Sequence, residues 1–204
     1  MEAGARAFGE KGLDAVHLKR DILAPAGVSV GSFYHQFKDK TELLLTILAE
    51  GSAERRRQFS AVHRPARGRT AEEIAQRSYA LVFDLADAHP DAQRIQFRQR
   101  ASSDPRIRAF IETDRAQWRR SLADDYARLN EAYGWQLEVE QAAELVAALT
   151  QGAVEQYLGL PATERPKARE RMLGALVRFT LHGLPGLSGH ERPGTDAPPR
   201  KDTP

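Results

Sequence analysis

Residues 27–40 read Gly-Val-Ser-Val-Gly-Ser-Phe-Tyr-His-Gln-Phe-Lys-Asp-Lys, and this stretch decides the predicted fold. Gly27 and Val28 form a tight turn between two short segments with helical spacing. Ser29 stands at the N-cap of the second segment, where its hydroxyl can accept a hydrogen bond from a free backbone N–H group. Two short helices joined by a glycine turn are the helix-turn-helix unit, whose second helix enters the major groove of DNA. The stretch therefore predicts a recognition helix over 30–37.

Flanking residues extend this unit into a longer pattern between Phe8 and Leu48. Its members are Phe8-x-x-x-Gly12, Asp21-Ile22-Leu23, Ala26-Gly27-Val28-Ser29, Gly31-Ser32-Phe33-Tyr34-His35-x-Phe37 and Lys40-x-x-Leu43. The segment closely resembles the N-terminal domain of tetracycline-repressor-type (TetR) transcription regulators. The resemblance implies an N-terminal DNA-binding domain followed by a larger C-terminal domain that binds an effector and dimerises.

Composition excludes several other classes of protein. The chain of 204 residues is 41% hydrophobic, which is enough for a buried core, and its net charge is only +2. It contains no cysteine, so disulfides, thiolate zinc sites and cysteine nucleophiles are excluded. We find no apolar run long enough to span a membrane and no signal-peptide pattern, so we expect a cytoplasmic protein.

Apolar spacing predicts an all-α protein of about nine helices and no strand series. Helix starts are marked by Asp39, by the Thr70-x-x-Glu73 capping box and by Asp104 followed by proline. We expect a helix-turn-helix domain at 1–48, with a connecting helix to 59, and a helical effector-binding and dimerisation domain at 60–187. The linker is predicted at 60–69, and the Pro- and Gly-rich segment 188–204 is predicted to be disordered.

The second helix departs from the family pattern. Pro25 lies inside it, where proline removes an N–H donor and collides with the carbonyl group four residues earlier. We therefore expect this helix to end or kink near Leu23-Ala24. The spacing from Gly12 to Ile22 is one residue longer than the family leads us to expect, and no Thr or Ser caps the helix, so Asp14 is a candidate cap. Met1 lies only seven residues before Phe8, without the basic arm common in the family.

Candidate DNA contacts cluster around the recognition helix. The resemblance implies that Tyr34 and Lys40 hold the DNA backbone while the start of the helix reaches base edges. Helix N-termini and basic side chains favour phosphate, and Phe33 and Phe37 share the inward face. The predicted DNA-binding residues are Lys19, Ser29, Val30, Gly31, Ser32, Tyr34, His35, Gln36, Lys38 and Lys40. Arg55, Arg56 and Arg57 are expected to stay in water at the end of the connecting helix.

Effector-pocket and dimer residues are predicted from the C-terminal helices. Aromatic side chains with one amide can line an apolar cavity, although aromatic residues at helical spacing more often form core. The pocket candidates are Phe97, Phe110, Trp118, Tyr126, Gln151 and Tyr157. Small residues on the eighth helix allow another helix to approach closely, and the ninth helix has an apolar face of its own. The resemblance implies that these two helices pair with their symmetry mates as a four-helix bundle, the alternative being packing within one subunit. The dimer candidates are Ala148, Gly152, Ala153, Leu173, Leu176 and Val177.

The resemblance implies a ligand-responsive transcriptional regulator, a repressor that binds a pseudo-palindromic operator as a homodimer and is released by a small-molecule effector. The alternative is a helical ligand-binding or interaction module of the same fold that has lost DNA binding. We find no nucleophile elbow, Gly-rich phosphate loop or metal-ligand spacing, so we expect no enzyme, no cofactor and no metal.

Overall fold

The computed structural model describes residues 1–100 and 102–183; the predicted disordered tail, 188–204, lies outside them. The described residues form nine helices and no strand, which confirms the all-α prediction. The second helix, α2, has two parts, Leu18–Leu23 and Ala24–Ala26. The others are α1 (Glu2–Lys11), α3 (Val30–Gln36), α4 (Lys40–Val62), α5 (Ala71–Ala88), α6 (Pro90–Gln99), α7 (Pro105–Tyr133), α8 (Val139–Gly159) and α9 (Arg165–His182).

Side-chain caps begin several helices where the sequence predicts them. The Thr70 hydroxyl accepts from the Glu73 N–H, and the Glu73 carboxylate accepts from the Thr70 N–H, which completes the capping box. Asp104 caps α7 through the N–H of the second helical residue. Asp39 caps α4 at 2.8 Å from the Glu42 N–H, whereas the Glu42 carboxylate reaches back to the N–H of the residue before Asp39.

α2 does not end near Leu23-Ala24, but it changes there from π-helical to α-helical geometry. Its first part is π-helical, so the Ala24 N–H donates to the carbonyl of Lys19, five residues earlier, and α-helical geometry continues to Ala26. A π turn holds more residues than an α turn and thereby takes up the extra residue before Ile22. Asp14 is not the cap; the carboxylate of Asp21 accepts the N–H of residue 17 at 2.8 Å instead.

The buried side chains form two hydrophobic cores. The N-terminal core consists of Ala7, Phe8, Leu13, Val16, Ile22, Leu23, Phe33, Leu43, Leu44, Ile47, Leu48, Ile95 and Ile107. The C-terminal core consists of Phe59, Val82, Phe83, Leu85, Ala86, Ala153, Val154, Tyr157 and Leu158. α4 contributes to both, and its helix continues to Val62, so the linker starts later than predicted. α6 and α7 each supply one isoleucine to the N-terminal core. The two cores are therefore joined by α4, α6 and α7.

α1 packs closely on α6. Gly9 faces the start of α6, and a Cβ atom added there would lie 2.8 Å from the Asp91 Cβ and 3.0 Å from its Cα. Real Cβ atoms do not approach other atoms so closely, so any larger residue at this position would force the two helices to shift. The contact fixes the first helix against α6 of the larger helical part.

Candidate nucleic-acid interface and regulatory cavity

The start of α3 is held by its own serines. The Ser29 hydroxyl accepts from the Ser32 N–H at 3.0 Å and hydrogen-bonds the Ser32 hydroxyl at 2.8 Å. Gly27, in the left-handed region with φ of 64°, turns the chain between α2 and α3. Phe33 is buried with its ring 5.5 Å from that of Phe37, so the inward face is aromatic as predicted. The turn and cap give the helix-turn-helix geometry expected from the sequence.

The outward face of α3 is open to solvent. Nine of the ten predicted DNA-binding residues are exposed, namely Lys19, Ser29, Val30, Gly31, Ser32, Tyr34, His35, Gln36 and Lys38. Large apolar side chains are among the exposed groups here, with Val30 38% and Tyr34 57% exposed. An open face with serine hydroxyls, an imidazole and basic groups can contact both phosphates and base edges.

Lys40 is placed differently from the expectation. Its ammonium donates to the carbonyl of Leu13 at 2.6 Å and to that of Val16 at 3.2 Å, and Asp14 O lies 3.5 Å away. These carbonyl groups lie in the loop between α1 and α2, where no hydrogen bond of a helix satisfies them. The ammonium therefore holds this loop in the structure, and it is not free in the way that a phosphate contact requires.

A charged cluster fixes the start of α2. The Asp21 carboxylate accepts from the Arg20 guanidinium and from the Lys11 ammonium, each at 2.8 Å, and from the His17 N–H. The hydrogen bond from Arg20, followed by those from Lys11 and His17, lowers the pKa of Asp21 well below its usual range. Arg20 is therefore occupied by Asp21, whereas Lys19 remains exposed.

A cavity of about 300 Å³ lies in the larger helical part, between α4, α5, α6, α7 and α8. Three of the six predicted pocket residues, Phe97, Trp118 and Gln151, line it. The rings of Phe59 and Trp118 meet edge to face at 4.8 Å between centroids and form an aromatic wall. Small residues of α8 close the opposite side.

The other three predicted pocket residues lie elsewhere. Phe110 packs against the N-terminal core because the first turns of α7 face that core. Tyr126 lies two turns beyond Trp118 on α7, with its ring 5.7 Å from the imidazole of His63. Tyr157 is buried in the C-terminal core, where its hydroxyl donates to the Asp87 carboxylate at 2.9 Å. Helical spacing alone does not give the depth of each position along a long helix, so the sequence could not separate these three residues from those that line the cavity.

Charged residues that the sequence did not reveal line the cavity. They are Arg55, Arg100, Arg115, Arg119, Asp114 and Glu144. Arg55 and Arg56 both pair with the buried Asp114, at 3.0 and 2.7 Å, so the prediction that they stay in water is wrong. Burial lowers the pKa of the Arg55 guanidinium, and the charge of Asp114 acts against this. No residue near Arg55 in the sequence marks this pair, because Asp114 lies 59 residues away.

Arg100, which follows α6, has an incomplete set of partners. Its Nη1 donates to the Glu155 carboxylate of α8 at 2.9 Å, and its guanidinium carbon lies 4.9 Å from the centroid of the Phe97 ring. Its Nε and Nη2 are buried and have no hydrogen-bond partner among the described residues. A buried donor without an acceptor loses its hydration and gains nothing in return, so it needs an explanation.

A buried Ser-His-Asp arrangement lies between α4, α5 and α7. His63 Nδ1 is 3.0 Å from the Asp125 carboxylate, and its Nε2 is 2.8 Å from the Ser78 hydroxyl. The Ser78 hydroxyl donates to the carbonyl of Ile74 at 2.8 Å, so its oxygen serves as an acceptor for the imidazole. All three side chains are buried, and none of them lines the cavity. The group is therefore a cross-link between helices and not a nucleophilic site.

Part of the predicted dimer surface is exposed and part is internal. Ala153 and Val177 are buried, and Leu173 and Leu176 pack partly against the C-terminal core. Ala148 and Gly152 are exposed, and a Cβ atom added at Gly152 would meet nothing within 4 Å. Leu145, which is 65% exposed, continues this line on the same face of α8. The outward stripe of α8 is thus Leu145, Ala148 and Gly152.

Within 1–100 and 102–183, no group of three or more His, Cys, Asp or Glu side chains is placed to hold a metal ion. None of the helices in the described part is long and apolar enough to cross a membrane.

The capped helix-turn-helix, carried on a long helix that enters a larger helical part, defines a helix-turn-helix DNA-binding protein of two parts. The family described as "Bacterial regulatory proteins, tetR family" matches residues 1–47. The resemblance is confirmed: the chain has the N-terminal domain and the overall fold of TetR-family transcriptional regulators.

Solved structures with low sequence identity share this fold. FadR from Bacillus halodurans, a fatty acid degradation regulator, is 16% identical with a TM-score of 0.75, over 90% of this chain and 93% of that chain. FadR from Bacillus subtilis, solved in complex with stearoyl-CoA, is 16% identical with a TM-score of 0.73, over 90% and 96% of the two chains. A transcriptional regulator from Rhodococcus sp. Rha1 is 23% identical with a TM-score of 0.69, over 89% and 94%.

Proposed function

We propose that the protein is a ligand-responsive repressor that binds a pseudo-palindromic operator as a homodimer and is released by a small-molecule effector bound in the cavity. The observation that carries this proposal is the path of α4. Lys40 begins the helix beside the recognition helix, Leu44 and Leu48 lie in the N-terminal core, and Arg55 lines the cavity. One continuous helix therefore joins the DNA-binding surface to the cavity wall.

DNA recognition is assigned to the exposed face of α3. Ser32 at the helix start reaches base edges, and Tyr34 with Lys38 contacts phosphates. Lys40 supports binding by holding the loop between α1 and α2. Pro25 does not stand against DNA binding, because the π turn of α2 delivers a well-formed Gly27 turn and a capped α3.

The effector acts by differential affinity for two arrangements of the helices. Arg55 and Arg56 of α4 share Asp114 of α7, so a ligand beside them changes the balance of contacts on α4. α6 lines the cavity and packs against α1, which gives a second connection to the DNA-binding helices. The ligand shifts the population only as far as its affinities for the two arrangements differ.

Dimerisation is assigned to the outward faces of α8 and α9. The stripe of Leu145, Ala148 and Gly152 is apolar and exposed, and Ala148 also borders the cavity. A Cβ atom added at Gly152 meets nothing within 4 Å, so a second copy can approach closely there. A twofold dimer presents two recognition helices to two half-sites, about one helical turn of DNA or a multiple of it apart.

The experiment is selection of bound duplexes from a random pool by the intact protein at low salt. We expect an inverted repeat to be enriched, with two chains bound per duplex, and the enrichment to be lost in Tyr34→Ala with Lys38→Ala. A pool that stays random would contradict the proposal and would favour the alternative, a ligand-binding module of this fold that does not bind DNA.

A further inference from the structure

We propose that the cavity binds a compact apolar carboxylate whose carboxylate group pairs with the unpartnered edge of Arg100. The inference rests on the proposed function only in that it identifies this compound as the effector. Binding in the cavity itself is measured without DNA.

The first observation is the geometry of the Arg100 guanidinium. Nη1 donates a hydrogen bond to the Glu155 carboxylate at 2.9 Å, whereas Nε and Nη2 have no partner among the described residues. Nε and Nη2 form one edge of the planar guanidinium, with two parallel N–H donors that match the two oxygens of a carboxylate. The described part of the chain supplies no acceptor for this edge. Solvent does not reach the two atoms in this arrangement, so a carboxylate in the cavity pairs with the edge after the Arg100 side chain turns toward it.

The second observation is the charge around the cavity. Four arginines line it against two acidic residues, Asp114 and Glu144. Asp114 is already neutralised by Arg55 and Arg56, so its carboxylate does not repel an anion strongly. The surplus of positive charge is small, which suits a single carboxylate better than a group that carries several phosphates.

The third observation is the size and the apolar wall. A volume of about 300 Å³ lies at the lower end of the range for small-molecule pockets. It corresponds to about ten waters of the liquid, and hence to a ligand of roughly 10–15 non-hydrogen atoms. Phe59, Phe97 and Trp118 supply aromatic surface for the body of that ligand. A long-chain acyl-CoA is several times larger than this space, so most of it would lie outside the cavity.

The probe is phenylbutyrate, compared with its neutral isostere phenylbutyramide. Trp135→Phe leaves Trp118 as the single tryptophan, since the chain has two and Trp135 stacks on Tyr133 outside the cavity. We expect phenylbutyrate to change the emission of Trp118 in DNA-free protein and the amide to bind at least tenfold more weakly. Equal binding of acid and amide, or no binding of either, would overturn the inference.

Substitutions at the ion pair separate recognition from folding. Arg100→Gln should weaken the binding of phenylbutyrate about 10- to 100-fold. Arg100→Lys should recover only part of this lost affinity, because an ammonium lacks the planar edge. Glu155→Gln should tighten binding, since it removes the negative charge that competes for Arg100. Arg120→Gln, on the exposed face of α7 away from the cavity, is the matched control and should change nothing.

The outcomes distinguish this inference from the proposed function. Unchanged affinity in Arg100→Gln, weaker binding in Glu155→Gln, or displacement of phenylbutyrate by stoichiometric stearoyl-CoA would overturn it. Carboxylate binding with these variant effects in a protein that selects no duplex supports the inference and defeats the repressor proposal. Duplex selection without any binding of phenylbutyrate leaves the repressor proposal standing and overturns the carboxylate.

Discussion

Gly9→Ala tests the contact between α1 and α6. The added methyl group would lie 2.8 Å from the Asp91 Cβ and 3.0 Å from its Cα, so the backbone of α6 has to move. Overpacking of this kind costs about 1–3 kcal/mol, and the better helix propensity of alanine offsets about 1 kcal/mol of that. We expect a net loss of about 1 kcal/mol and a fall in Tm of about 3 °C, because each kcal/mol shifts Tm by about 2–4 °C at this chain length.

The matched control is Gly51→Ala on α4, where an added Cβ atom meets nothing within 4 Å. There the propensity gain of about 1 kcal/mol is unopposed, so Tm should rise by about 3 °C. Thermal unfolding followed by circular dichroism measures both variants at the same protein concentration. If Gly9→Ala raises Tm as much as Gly51→Ala does, α1 does not pack on α6 in the way described.

Three further sets of substitutions test separate parts of the structure. Lys40→Met should destabilise the fold by about 2 kcal/mol and weaken binding to all duplexes alike, whereas Ser32→Ala should change the ranking of operator variants. If Lys40→Met instead lowers the slope of binding affinity against salt by about one unit, the ammonium binds phosphate. Gly152→Arg should give monomers in sedimentation, whereas Gly159→Arg, equally unobstructed at the end of α8, should stay dimeric. If both variants stay dimeric, the interface lies elsewhere. Asp125→Asn should destabilise the protein by about 3 kcal/mol, because it leaves the buried His63 without its carboxylate. A loss of unfolding free energy below about 1 kcal/mol in chemical denaturation would contradict this.

Local signals in the sequence predicted the helices well. Ser29, Asp39, Thr70 and Asp104 cap helices by hydrogen bonds to neighbours only two or three residues away, so their effect is visible in the sequence. The helix-turn-helix is likewise a local motif, and its turn at Gly27 follows from the need for a positive φ.

Features that depend on distant partners could not be predicted. Arg55 is 59 residues from Asp114 in sequence, and Arg100 is 55 residues from Glu155, so nothing local distinguishes these arginines from solvated ones. The π turn before Pro25 was missed for a different reason, because the sequence shows the extra residue without showing whether the helix breaks or widens. The depth of Tyr157 in the C-terminal core is set by packing between α5 and α8.

Reciprocal linkage between the operator and the cavity ligand tests the central claim most directly. The affinity of the intact protein for its selected duplex is measured by fluorescence anisotropy with and without saturating phenylbutyrate, and the affinity for phenylbutyrate is measured with and without the duplex. The account predicts that each ligand weakens the other by the same factor, about 5- to 150-fold. Full duplex affinity in a protein whose cavity is saturated would contradict it.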